Sequence, residues 1–364
     1  MSTLTYPAAR TAATRLQPHL RSAIEIPTIE ALINAAFWAS LRREEGRTPR
    51  LSLAFVSPLE VSDPMLLGAP FALDPQPLTH ISAAVERPGI HLGVWYDARE
   101  LRVWGATRHL PPRCLVLEVI APGLLVVKQS PADDSGKFVN VAVLQGDDVK
   151  IIDQLSSRVP DCPELLTSLL GFESQHSRTD SVNTLIQLAV SMRAHGRGGS
   201  LLVVPANSAE WLESVAHPIT YAISPPFTAL ADLMQTDHEE RSQRWWQDAH
   251  RRSVDGVAGL TAVDGATVIT DRYELLAFGV KTVRRLKCPQ IARVIVTEPV
   301  EGVAPEIIDP TQLGGTRHLS AAQFEQDQRD AVSLVASQDG RFTVFAWSPC
   351  EEMVHAHRIE SLLL

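Results

Sequence analysis

The chain has 364 residues, enough for two domains of ordinary size, and its hydrophobic content of 45% allows a sizeable core. Its net charge of −9 argues against a protein that binds nucleic-acid polymers nonspecifically, because such proteins normally carry a basic balance. A small nucleotide needs only a local basic pocket and is not excluded.

The cysteines and the apolar runs bear on the compartment. Four cysteines are widely spaced and form no Cys-x-x-Cys pair, which predicts free thiols in a reducing cytoplasm. Residues 1–20 include Arg10, Arg15 and Pro18, so we expect no signal peptide. No apolar run approaches the length of a membrane span. We therefore expect a cytoplasmic protein with neither a membrane nor a nucleic-acid polymer as partner.

The first half predicts a helix followed by short strands. Apolar residues at helical spacing predict a helix from about Thr28 to Arg43, and five prolines between Ser57 and Leu78 predict a wandering loop. We expect a mixed or antiparallel sheet with helices on one side. Apolar runs bounded by Pro and Gly predict its strands at Leu51–Val56, His91–Tyr96, Leu101–Trp104, Cys114–Val119, Leu124–Lys128 and Val139–Leu144.

A domain boundary is predicted between Ser157 and Asp180, where prolines and polar residues accumulate. It separates an N-terminal α/β domain, residues 1–175, from a second domain, residues 176–364. In the second domain we expect helices at about 182–196, 208–215 and 238–258, a further helix that begins at Ser224-Pro225, and a strand at Leu201–Val204.

One internal similarity links the two halves. The run Asp97–Gly105 resembles the run Asp271–Gly279, and both follow an apolar strand. The similarity fits a common hairpin pattern or an internal duplication, and the hairpin pattern is the simpler of the two explanations.

The first motif with chemical content is Asp264-Gly265-Ala266, followed by an apolar run. Two small residues at the start of a buried strand let another group approach the backbone, and Asp264 would lie at the mouth of that strand. The carboxylate could hold a cation or accept a hydroxyl proton. It could equally be an ordinary turn acid, because Asp-Gly is a common turn dipeptide.

The second motif is the run Gly314–His318, just before a helix-forming segment from Ser320 to Arg329. Backbone N–H groups at a helix start attract anions, and Arg317 would add a planar donor fork for phosphate oxygens. The alternative is a capped helix start with Arg317 on the surface. The basic cluster Lys281, Arg284, Arg285 and Lys287 could likewise meet phosphates or form a solvated face.

Together and in this order, the motifs resemble the diadenylate cyclase (DAC, DisA N-terminal) family over roughly residues 178–348. The resemblance implies an α/β fold in the C-terminal half, with a mixed sheet flanked by helices. The matching segments are Gly198–Pro205, Asp264–Ala266, Ala277–Gly279, Gly315–His318, Arg329–Val332 and Ser337–Asp339.

The resemblance also implies roles for individual residues. Asp264 would be the catalytic acid and, with Asp339, a ligand of Mg²⁺ or Mn²⁺ if the protein is catalytic; otherwise no cofactor is expected. The residues expected to bind the nucleotide are Gly265, Ala266, Gly315, Thr316, Arg317, His318 and Ser337.

Departures from the family pattern bear on activity. Leu319 stands where the family has a second arginine, Gln338 stands where it has a glutamate, and Asp339 is shorter than the next glutamate. These changes are similar to those of divergent, DACNV-like members that are probable sensors. We expect a sensor that binds ATP or a cyclic dinucleotide. The alternatives are an active cyclase, which would join two ATP molecules across a homodimer, and a non-catalytic protein-interaction module.

Overall fold

The computed structural model describes residues 5–20, 24–131, 138–152, 183–241 and 243–364. The chain divides into two compact units, Met1–Asp153 and Gln154–Leu363. The predicted boundary at residue 175 lies outside the described residues. Each unit contains a mixed β-sheet with helices, as predicted for an α/β protein.

In the first unit, the described residues form an eight-stranded sheet of order β2-β4-β3-β1-β5-β6-β7-β8. Strands β1 and β3 are parallel and all other neighbours are antiparallel. The helices pack on one face and share a core with it. The bounds are α1 Ala9–Leu16, α2 Ile26–Ser40, β1 Leu51–Phe55, β2 Met65–Ala72, α3 Pro75–Val85, β3 His91–Asp97, β4 Glu100–Thr107, β5 Leu115–Ala121, β6 Leu124–Gln129, β7 Val139–Gln145 and β8 Asp148–Ile151.

The loop predicted between Ser57 and Leu78 is wrong in part, because it contains β2 and the start of α3. Pro70 is tolerated in β2 because this strand is at the edge of the sheet, where a missing N–H breaks no ladder. Asp74 caps α3 by accepting from the Gln76 N–H at 3.0 Å, and Pro75 is suited to the first helical turn.

In the second unit, the described residues form a nine-stranded sheet of order β10-β12-β11-β9-β15-β16-β17-β13-β14. Helices α4 and α7 pack on one face, and α8 packs on the other against β16 and β17. The bounds are α4 Thr184–Ala194, β9 Gly199–Val204, β10 Tyr221–Phe227, α5 Ala229–Met234, α6 His238–Arg241, α7 Arg244–Leu260, β11 Ala266–Thr270, β12 Leu275–Val280, β13 Val294–Thr297, β14 Glu306–Ile308, α8 Thr316–Asp327, β15 Val332–Ala336, β16 Phe342–Ser348 and β17 Met353–Arg358.

Two helix predictions in the second unit need correction. Ser224-Pro225 begins no helix, since both residues lie within the edge strand β10. The polar helix expected at 238–258 is two helices, α6 and α7. Within α7, Trp246 is buried and its indole N–H donates to the Leu233 carbonyl at 2.9 Å. Its role is therefore to pack in the core.

The two sheets share one arrangement. In each unit a helix leads into a central strand, which pairs in parallel with the first strand of a hairpin (β1 with β3, β9 with β11). The hairpin's second strand pairs with an edge strand. On the side away from the hairpin, the central strand pairs with an antiparallel strand, β5 in the first unit and β15 in the second. The similar runs Asp97–Gly105 and Asp271–Gly279 fall on the equivalent hairpins. This common topology favours internal duplication over the simpler hairpin explanation.

One segment distinguishes the second unit. Residues 281–331, which include β13, β14 and α8, stand between the hairpin and β15, whereas residues 108–114 make the equivalent connection in the first unit. The second unit therefore carries an additional helix and two strands beyond the shared arrangement.

Candidate functional site

A cleft of about 220 Å³ lies where the Asp-Gly-Ala turn meets the start of α8. Strands β9 and β11 begin at its floor, with Ser200 paired to Ala266, and β12 ends beside them. Five of the predicted site residues line this one cleft: Asp264, Gly265, Ala266, Thr316 and Arg317.

The turn at Gly265 requires glycine. Its φ is +112°, and a Cβ there would lie 2.5 Å from the carbonyl carbon of Gly279 on the paired strand. Neither the backbone conformation nor the close approach tolerates a side chain. The glycine thus lets the backbones of β11 and β12 approach each other closely at this end of the hairpin. The close approach holds Asp264, the residue before Gly265, at the mouth of the cleft.

Asp264 forms an ion pair across the hairpin. Its carboxylate contacts Nζ of Lys281, the residue that follows β12. The hydrogen bond from Lys281, then the charge of its ammonium group and more weakly that of Arg317, lowers the pKa of Asp264. The side chain of Asp264 is 86% exposed, so it is a solvated carboxylate that is ionised at neutral pH.

Arg317, the second residue of α8, also lines the cleft. A Cβ on Gly198 would be 3.2 Å from Arg317 Nη1 and 3.3 Å from Gln338 Cγ, so both side chains lie beside this glycine. Among the described residues, no carboxylate forms an ion pair with Arg317. The side chain of Gln338 is neutral and therefore leaves the charge of Arg317 unneutralised on this side.

The start of α8 and several hydroxyl groups complete the anion-attracting wall. Gly315 precedes the helix in an extended conformation, and no side chain of the described residues caps it. The first backbone N–H groups of a helix carry partial positive charge. Ser200, Thr282, Thr316 and Ser320 contribute hydroxyls to the lining. Two cations and one carboxylate give the cleft a net positive charge in an acidic chain.

The remaining predicted site residues do not line the cleft. Gly315 is the residue just before α8, and His318 is buried beneath it against Phe345, where burial lowers the pKa of its imidazole. Ser337 and Asp339 lie in the turn between β15 and β16, where the Asp339 carboxylate pairs with Arg341 Nε at 3.3 Å. The hydrogen bond from Ser337 is the main cause that lowers the pKa of Asp339.

The donor set of the cleft does not fit a divalent metal. Asp264 is paired with an ammonium group, and Asp339, its expected partner as a metal ligand, lies outside the lining. No group of three His, Cys, Asp or Glu side chains suited to a metal is found in the described parts of the chain. The Mg²⁺ or Mn²⁺ expected for a catalytic protein therefore stays a prediction.

Lys281 belongs to the basic cluster for which the sequence left phosphate contact and a solvated face both open, and it lines the cleft. Neither of the two motifs includes it. Hairpin register supplies the signal, because pairing of Ala266 with Val280 puts the next residue along β12 opposite the Asp-Gly turn. Ser320 is four residues after Thr316, so helical spacing puts both on one face of α8.

Comparisons with known proteins bear on the first unit. Residues 19–108 match the family model described as Probable sensor domain DACNV. These are 90 of the 364 residues, about a quarter of the chain, and they contain α2 through β4. The sensor match thus lies on the first unit, whereas the motifs that resemble diadenylate cyclases lie on the second.

Other comparisons add little. No curated protein matches the chain. A solved structure titled as a hypothetical membrane spanning protein from Bacillus cereus is 13% identical over 53% of this chain and 70% of that chain, with a TM-score of 0.30. A similarity this slight carries no argument. No helix in the described ranges is both long and apolar enough to cross a bilayer.

Proposed function

We propose that the protein is a nucleotide sensor whose second unit binds the phosphate groups of ATP or a cyclic dinucleotide. The observation that carries the proposal is that Lys281 and Arg317 line one cleft with the start of α8. Charged donors and helix-start N–H groups converging on one space are the usual protein chemistry for a phosphate.

The sensor-domain match supports the sensing part of the proposal. It covers residues 19–108, whose strands follow the same order as those from α4 to β12 in the second unit, although α5, α6 and α7 stand there in place of the one helix α3. The second unit adds the segment that supplies Lys281 and Arg317. We therefore assign ligand binding to the second unit and regard the first as its related, sensor-type neighbour in sequence.

Substitution of Arg317 tests the proposal. Arg317→Gln removes a charged donor fork but keeps a similar length, so we expect affinity for ATP or inorganic pyrophosphate to fall about tenfold or more. Calorimetry without added metal measures it. Arg272→Gln is the matched control, because Arg272 is an exposed arginine at the other end of the β11–β12 hairpin. Its affinity should equal that of the wild type.

The outcomes separate the functions. Weaker binding by Arg317→Gln, with unchanged binding by Arg272→Gln, supports the phosphate cleft. We also expect the affinity of the wild type to fall steeply with added salt. A folded wild-type protein that binds neither ATP, cyclic di-AMP nor pyrophosphate overturns the proposal and favours a protein-interaction module.

A further inference from the structure

The cleft is small for a whole nucleotide. Its volume of about 220 Å³ lies below the range of roughly 300–1,000 Å³ typical of small-molecule sites. A second cavity of about 410 Å³ adjoins it, and the two share Thr282 and Ser320 in their linings. The shared residues make the two cavities neighbours along one side of α8.

The second cavity brings a further cation. Arg284 lines it, is exposed, and has no ion pair with any residue of the described ranges. Its neighbour Arg285 differs, because that guanidinium binds Glu213 at 2.7 Å and Glu210 at 3.2 Å. Of the two adjacent arginines, only Arg284 keeps its charge available to a ligand.

The backbone on both sides of Arg284 is fixed. The Val283 N–H donates to the Ser214 carbonyl at 2.9 Å, and the Arg285 N–H donates to Asp327 Oδ2 at 2.7 Å. Arg284 is thus an exposed side chain on a backbone fixed by hydrogen bonds, so a ligand that contacts it would not have to order this loop.

The rest of this cavity suits a neutral, partly apolar group. Leu319 of α8 contributes an apolar surface, and Gln290 offers an exposed carboxamide with both a donor and an acceptor. A sugar and base would meet apolar contact and hydrogen-bonding groups here, between one cationic region and the next.

We propose that the ligand spans both cavities and carries two separate phosphate groups, as a dinucleotide does. The first phosphate contacts Lys281 and Arg317, and the second contacts Arg284. This inference rests on the proposed function and adds the class of ligand to it.

The test compares one and two phosphates on the full-length protein. Calorimetry at constant ionic strength measures AMP and the linear dinucleotide pApA, which carries two phosphate groups. We expect the wild type to bind pApA about tenfold more tightly than AMP, as one more charged contact provides. Arg284→Gln should lower the affinity for pApA about tenfold and leave that for AMP unchanged.

Lys287→Gln is the matched control, because it removes the same charge from the same loop at an exposed residue that lines neither cavity. It should alter neither affinity. An equal loss for AMP and pApA in Arg284→Gln, or no loss for pApA, overturns the inference and leaves the phosphate cleft standing. If the wild type binds pyrophosphate but neither AMP nor pApA, this inference fails and the phosphate cleft stands. If it binds none of the three, nor ATP or cyclic di-AMP, the proposed function fails as well.

Discussion

The individual residues of the cleft differ in whether their sequence motifs predicted their position and contacts. Asp264 was predicted from its Asp-Gly-Ala motif and Arg317 from its position at a helix start, and both line the cleft. Neither motif predicted that Lys281 forms an ion pair with the carboxylate of Asp264, because this contact depends on the register of the hairpin. His318 was also predicted as a site residue, yet its imidazole is buried against Phe345, because successive helical residues point in different directions and Arg317, which is only half-buried, is the one that lines the cleft.

Asp264→Asn separates a sensor from a cyclase at the residue scale. In the absence of metal, the change removes a negative charge from the cleft and releases Lys281, so pyrophosphate should bind roughly threefold to fivefold more tightly. The melting temperature should not change, because an exposed ion pair contributes little to stability. Calorimetry and a thermal melt measure the two quantities.

Asp330→Asn serves as the control, since Asp330 is an exposed acid outside the cleft lining. If Asp264→Asn instead weakens the binding of ATP only when Mn²⁺ is present, Asp264 is a metal ligand. Chromatography of an ATP and Mn²⁺ incubation would then show whether the wild type forms a cyclic product.

At the scale of single elements, the sequence predicted strands only in part, and it did not predict the buried strands β16 and β17. The run Leu201–Val204 was recognised from its apolar residues, but β9 begins earlier, at Gly199, because pairing with β15 recruits Gly199 and Ser200. Strand β2 was missed because its residues are largely exposed and include a proline. Edge strands form through pairing with a neighbour, which the local pattern does not encode.

Gly265→Ala tests the tight hairpin. A Cβ at this position meets the Gly279 backbone and the φ is unfavourable, so we expect a loss of about 1–3 kcal/mol in the free energy of unfolding and weaker pyrophosphate binding. Gly256→Ala is the control, because Gly256 lies within α7 with open space around its Cα. That change should stabilise the protein by up to about 1 kcal/mol.

Urea unfolding followed by circular dichroism measures both variants. A midpoint for Gly265→Ala equal to that of the wild type would mean that the hairpin accommodates a side chain. Gly265 would then not be the residue that holds Asp264 in position.

The arrangement of the whole molecule was only partly predictable. The α/β class followed from alternating helical and strand patterns, but strand order depends on pairings between distant segments, such as β9 with β15. The short similarity between the two hairpins was a thin sign of duplication at sequence level. It gains weight from the common topology, in which the second unit differs mainly by the inserted residues 281–331.

The inserted segment, residues 281–331, predicts which of two separate fragments binds pyrophosphate. Residues 5–152 and 183–364 each contain their own hydrophobic core, so we expect each fragment to fold and to give a cooperative urea transition. Only the second fragment contains Lys281 and Arg317. It should bind pyrophosphate with the affinity of the full chain, and Arg317→Gln within it should lower that affinity about tenfold. Binding of pyrophosphate by a folded first fragment at comparable affinity would contradict the assignment of the phosphate cleft to the inserted segment.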